Sequence, residues 1–396
     1  MNALKNSSQV FWAAGIFSIP FTRFILLWQS NGPGGFNPYT SSTFYLSEAF
    51  IWMALVSWWI YELFEKNPQK KTGKKEKGIV AIVIGFGLLA TSMAQDQTSA
   101  LLALIHIFTA IAIVFLLHKK VLPLKSVKQI FVLSMALQGL LAILQISLQH
   151  STGLSILGEP LIGPQISGVA KFTLAGNTFL RAYGTFPHAN ILAGFSLVAL
   201  FCLDSIPKKV RPWLGGLVAA GFLLAFSKAA FIGLFVGMII TKKINPKQGV
   251  PLLILMALLI RFQLPTILEK EFVHERIQYL KISAEMFWAH PEGVGTAQFT
   301  ERMQEFTDIK LQPWQFQPVH NTYLLILNEY AIWGLGFFLL GIKKWWEFNA
   351  KNPEALCLIS ALLIMGLFDH YLVTLPQGIL LTSFIMGFTT NPKSLH

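Results

Sequence analysis

Residues 99–128 read SALLALIHIFTAIAIVFLLHKKVLPLKSVK. Positions 99–118 carry no Asp, Glu, Lys or Arg. A helix rises about 1.5 Å per residue, so this stretch reaches across the roughly 30 Å hydrocarbon core of a bilayer. Lys119, Lys120, Lys125 and Lys128 follow at once. Apolar run, then basic loop, is the pattern repeated along the whole chain. Its runs are continuous rather than alternating, which points to helices rather than barrel strands.

Outward from that stretch, apolar runs lie near 9–28, 42–63, 79–94, 129–147, 188–206, 213–227, 229–241, 249–265, 320–340, 355–371 and 376–390. The expectation is a single all-α integral membrane domain, residues 1–396, with about twelve transmembrane helices. Composition agrees. The chain is 54% hydrophobic and 13% charged, about half the charge of water-soluble domains. Cys202 and Cys357 fall inside apolar runs and imply no disulfide framework. The first run has no small-residue cleavage site behind it and reads as a span, not a signal peptide.

The net charge of +12 could suggest nucleic acid, but its placement argues against that partner. The basic residues crowd into short loops such as KNPQKKTGKKEK, PKKVRP, TKKINPK and KKWWEFNAK. With both termini cytoplasmic, 21 of the 31 Lys and Arg fall on the cytoplasmic side and 8 on the other, as the positive-inside rule requires. Two long segments then lie outside, 148–187 and 266–319, the latter between the ninth and tenth spans. The second opens with Val273, Ile277, Leu280, Ala284 and Phe287 at helical spacing. It reads as an amphipathic helix lying on the membrane surface, ended by Pro291, Gly293 and Gly295.

The residues able to do chemistry gather on that external side. Arg181 lies in RAYGTFPHAN, where a guanidinium fork matches phosphate oxygens. Pro187, His188 and Asn190 open the helix that follows, and a helix N-terminus favours an anion. Lys228, after Ser227, and Arg276 add cations. His320 and Asn321 open the run HNTYLLILNEYAIWG. On one uninterrupted helix Leu324, Leu327, Ala331 and Gly334 would share the face of His320, with Glu329 nearly opposite. A histidine there suits a general base. Asp369 and His370 form an ionisable pair at the outer end of a span. Neither HExxH nor DxD is present, the histidines lack ligand spacing, and no glycine-rich phosphate loop follows a strand. No metal and no cofactor are expected.

Four blocks, RAYGTFPHANILAG, SKAAFIGLFVG, the Arg276–Phe299 stretch ending HPEGVGTAQF, and HNTYLLILNEYAIWG, resemble the O-antigen ligase/polymerase superfamily of membrane glycosyltransferases. They cover residues 180–340. Ala331 stands where that family's ligase signature has glycine, and Ser227-Lys228 where Ser-Arg is common. The resemblance implies a metal-independent transfer at the outer face of the cytoplasmic membrane. The donor would be a glycan on undecaprenyl diphosphate; the acceptor hydroxyl would belong to a glycolipid, a glycan or a protein. Arg181, Arg276 and Lys228 would hold the donor diphosphate, and His320 would activate the acceptor. His188, Asn190, Asn321, Asp369 and His370 would support them or bind the acceptor. Ligase, polysaccharide polymerase and protein O-oligosaccharyltransferase share these blocks. A polytopic transporter or flippase and a non-catalytic scaffold are the readings from other classes.

Overall fold

The computed structural model describes residues 2–29, 36–65, 85, 87–174, 177–242 and 271–390. It is mostly helical, at 68%. The order is α1 (Asn2–Ser18), β1 (Phe24–Trp28), β2 (Ser42–Tyr45), α2 (Leu46–Phe64), α3 (Gln97–His118), α4 (Leu124–Leu148), β3 (Lys171–Leu174) and β4 (Asn177–Leu180). Then come α5 (Ala189–Phe201), α6 (Arg211–Leu224), α7 (Lys228–Ile240), α8 (Glu271–Ala289), α9 (Thr322–Phe348), α10 (Pro353–Phe368) and α11 (Pro376–Thr389), with short helical turns between some of them.

The expectation of about twelve membrane-spanning helices is not met. Among the described residues three helices, α3, α4 and α9, are long and apolar enough to cross a membrane, or four if α6 and α7, bent by 119°, count as one. The physical reason is length. An apolar run includes the cap, turn and strand residues at its ends, whereas only the helical part adds 1.5 Å per residue. The 9–28 run breaks at Ser18, and Phe24–Trp28 pairs as a strand with Ser42–Tyr45. Helices α5, α6, α7 and α11 have 13, 14, 13 and 14 residues, about 20 Å each. Helix α2 has 19, but three tryptophans, a tyrosine and two glutamates dilute it. The architecture is also not all-α, since it holds two two-stranded antiparallel sheets, β1–β2 and β3–β4. The expected span 249–265, the lysine-rich loop 66–77, and part of 79–94 lie outside the described residues.

The main apolar core joins α1 to α7 with α10 and α11, around Trp12, Phe131, Phe186, Phe195 and Phe384. A second, smaller core forms under α8 from Tyr279, Ile282, Met286, Phe299, Met303 and Leu325. Helix α8 is amphipathic, but the stripe it buries in the protein is not the one expected. Tyr279, Ile282 and Met286 face inward while Ile277 and Leu280 remain exposed.

Helix α9 is broken at Ala331, whose φ of +58° is not helical. Backbone carbonyls freed by the break find partners in the HPEGVGTAQF block: Val294 N donates to Asn328 O at 2.9 Å and Gly295 N to Glu329 O at 3.0 Å. That approach needs glycine at 293, where φ is +92° and a Cβ would meet Glu329 O at 2.7 Å. The uninterrupted face imagined for His320, Ala331 and Gly334 therefore does not exist past residue 330.

Candidate functional site

Arg181 follows β4 directly, in a turn pinned by two glutamines of α4. Gln145 Oε1 accepts from Tyr183 N and Gly184 N, and Gln138 Oε1 accepts from Thr185 N. The two glutamines are seven residues apart, two helical turns, so they project from one face. Gly184 has φ +58°, and a Cβ there would collide with Gln138 Oε1. Tied this way, the turn carries Arg181 into the protein, where its Nε donates to Ala225 O at 2.7 Å and its Nη2 to Asn190 Oδ1 at 2.6 Å. Ala225 belongs to the bend between α6 and α7.

Asn190 is the connector. Its Nδ2 donates to Asp369 Oδ2 at 2.7 Å, and its backbone N–H to His188 Nδ1 at 3.1 Å, so His188 caps α5. Asp369 Oδ1 accepts from His370 N at 2.8 Å. It also lies 4.0 Å from His320 Nδ1, a charge contact rather than a hydrogen bond, and that nitrogen has no hydrogen-bond partner among the described residues. Helix α9 is held beside Asp369 by Thr322, whose hydroxyl donates to Asp369 O at 2.9 Å. Asn321 caps α9 by accepting from Tyr323 N and Leu324 N, and reaches Leu367 O.

Three residues not foreseen from sequence complete the cluster. Tyr279 packs on the His320 ring at 5.8 Å and Tyr39 edge-on against His370 at 5.2 Å. Thr374 Oγ1 lies 2.9 Å from His370 Nδ1, within hydrogen-bond distance, and donates to His370 O at 3.2 Å. Each lies in a segment whose composition reads as ordinary core or loop, so no local signal marks it.

The chain thus brings together Arg181, His188, Asn190, His320, Asp369 and His370. Arg276, exposed on α8, is near enough to disfavour the charged forms of Arg181, His188 and His370. Lys228 is exposed at the start of α7, three residues beyond the Ala225 carbonyl that Arg181 reaches. Asn321 stands at the edge as a cap.

Burial pulls the Arg181 guanidinium down to about 10, still protonated at neutral pH. Burial opposes the Asp369 charge, yet His320 and the other surrounding imidazoles outweigh that cost and hold its carboxyl far below the usual carboxylate range. Burial first, then Arg181, lowers His188 to about 3; burial lowers His370 to about 3 against the attraction of Asp369. Both histidines are therefore neutral when folded and take up protons when unfolded. The stability this gives is full above the ordinary histidine pKa of about 6.5. It is lost as pH falls toward 3, at about 1.4 kcal/mol per pH unit for each histidine. Thermal unfolding of detergent-solubilised protein should show that slope between pH 6 and 4, roughly halved in His188→Asn, which keeps a capping side chain. A pH-independent midpoint would contradict it.

Ligand atoms of His320, Asp369 and His370 all lie within 4.8 Å of one another, a grouping that could hold a cation. Sequence spacing missed it, because 320 and 369–370 come from different helices. Arg181, reaching Asp369 through Asn190, and Arg276 both oppose a divalent cation there and favour an anion.

No model of a known protein family matches the chain, and no curated protein matches it. The resemblance to the O-antigen ligase/polymerase superfamily stands on its sequence blocks alone.

Proposed function

We propose that the chain is a membrane glycosyltransferase of the O-antigen ligase/polymerase type, acting at the outer face of the cytoplasmic membrane with both termini inside. The observation that carries this reading is the Arg181–Asn190–Asp369 chain of short hydrogen bonds, with His320 facing Asp369 and Arg276 within charge reach. The bond between the anomeric carbon and the diphosphate of a lipid-linked glycan breaks. The acceptor oxygen forms the new bond to that carbon, and its proton passes to His320. Asp369 steadies the resulting imidazolium, and undecaprenyl diphosphate leaves against Arg181, Arg276 and Lys228. Fixed positive charge aimed at the leaving group supplies the main stabilisation. Apo distances such as 4.0 Å between base and orienting carboxylate commonly tighten when substrate binds.

Arg276 is exposed, so Arg276→Ala should leave the fold intact and cut transfer from a lipid-diphosphate donor about 100- to 1000-fold in proteoliposomes. Undiminished product would remove the diphosphate role. Envelope glycans of a deletion strain then separate the subtypes: unlinked long chains indicate a ligase, single repeat units a polymerase.

One feature favours a second reading. The bend between α6 and α7 borders the site at Ala225, α9 begins at the site and is interrupted at Ala331, and discontinuous helices also line transporter sites. Substrate flux across vesicles that survives His320→Ala, with no glycan product from the unmodified protein, would favour transport.

A further inference from the structure

The hairpin that delivers Arg181 carries an aromatic face to which no role has been given. Phe172 and Phe179 are register partners, so they leave the same side of the hairpin, and their rings stack at 5.5 Å with 26° between planes. Phe226, from the bend between α6 and α7, stacks on Phe172 at 4.1 Å and 27°. Leu180 on the opposite face is fully buried, which turns the aromatic face outward. Phe226 is 41% exposed and holds φ +46°, a backbone that bulky residues rarely adopt. Asn177 pairs with Leu174 and so shares the aromatic face, at its exposed end.

This platform adjoins the cationic cluster. Ala225, whose carbonyl anchors the Arg181 guanidinium, is the residue before Phe226. An anion bound at Arg181 would have the stacked rings on one side and an exposed amide beyond them. Aromatic faces are electron-rich and attract the partly positive C–H faces of a pyranose, while an amide at the rim can both donate to and accept from hydroxyls. An isoprenoid chain would fit the rings but has no use for the exposed amide of Asn177.

We propose that Phe172, Phe179 and Phe226, with Asn177, form a carbohydrate subsite that stacks the sugar ring carried by the diphosphate. This rests on the glycosyl-transfer reading above and names the subsite for the donor's first sugar.

The test uses the full chain in detergent and three probes: N-acetylglucosamine 1-phosphate, inorganic phosphate and farnesyl phosphate. The unmodified protein should bind the sugar phosphate about 3- to 10-fold more tightly than inorganic phosphate, the range a ring stack supplies. Phe172→Leu keeps an apolar side chain and a fold that thermal unfolding can verify, yet lacks a π-face. It should bring that ratio close to one and leave inorganic phosphate binding unchanged, while Phe172→Trp should retain the preference. An unchanged ratio in a folded Phe172→Leu protein overturns the proposal. So does a preference for farnesyl phosphate that Phe172→Leu abolishes, which would assign the rings to a lipid chain. Phosphate binding that survives without any sugar preference overturns the subsite alone; no phosphate binding to the unmodified protein overturns the diphosphate reading with it.

Discussion

Asp369→Ala is expected to destabilise the protein by about 3–5 kcal/mol, the cost of leaving the buried Arg181 charge without the carboxylate that Asn190 links to it. Asp369 is 6% exposed and accepts from Asn190 Nδ2 and its neighbour His370 N, with His320 Nδ1 opposite. Without it the buried Arg181 guanidinium keeps Asn190 and Ala225 O but loses the attraction of a nearby carboxylate. Asp369→Asn should cost less, about 1–3 kcal/mol, because one oxygen remains while a hydrogen-bond acceptor is exchanged for a donor. A carboxyl held below its unfolded pKa contributes stability above that pKa and loses it as pH falls toward the folded value. The gap between unmodified and Asp369→Asn proteins should therefore be full at neutral pH and close in acid. Denaturant unfolding in micelles measures both, with the exposed Asp308→Ala as the control. A loss for Asp369→Ala no larger than the control's would mean that the Arg181–Asn190–Asp369 chain does not hold the fold together.

How far the sequence reached can be judged from the same residues. The apolar run 99–118 became α3, within two residues at its start, because a long uncharged run has helix as its one economical state. Run length failed where a local feature cuts the run. Past Ser18, Phe24–Trp28 finds a strand partner in 42–45, while the expected pair 213–227 and 229–241, with its turn at Ser227–Lys228, forms pieces of 14 and 13 residues at 119°, each too short to cross alone. The charged site residues were legible because a buried guanidinium, carboxylate or imidazole is costly enough to stand out in an apolar chain. Gln138 and Gln145 were not, although they fix the Arg181 turn. Within α4 they look like ordinary polar interruptions, and their meaning lies in backbone N–H groups 38 to 47 residues away. Thr374 and Tyr39 were hidden for the same reason.

His320→Ala is expected to lower the transfer rate about 10²- to 10⁴-fold, the range for loss of a positioned general base, with little change in stability. The stability half follows from geometry. His320 is half-buried, its Nδ1 makes no hydrogen bond among the described residues, and α9 keeps its cap through Asn321 and its anchor through Thr322. The rate half follows from what faces it. With Asp369 4.0 Å from Nδ1, a proton gained at Nε2 produces an imidazolium whose other nitrogen meets a carboxylate that is already charged. The residue is thus placed to receive a proton rather than to bind the donor's phosphates. Single-turnover transfer should accordingly fall while the affinity for lipid diphosphate stays within about twofold, whereas Arg276→Ala should weaken that affinity as well as slow transfer. Asp369→Asn, where it still folds, should share the loss, because the imidazolium would no longer be steadied, and the two substitutions together should cost scarcely more than either alone. Additive losses would mean that His320 and Asp369 act separately, and full transfer by His320→Ala would mean that the acceptor proton goes elsewhere, to the departing diphosphate itself.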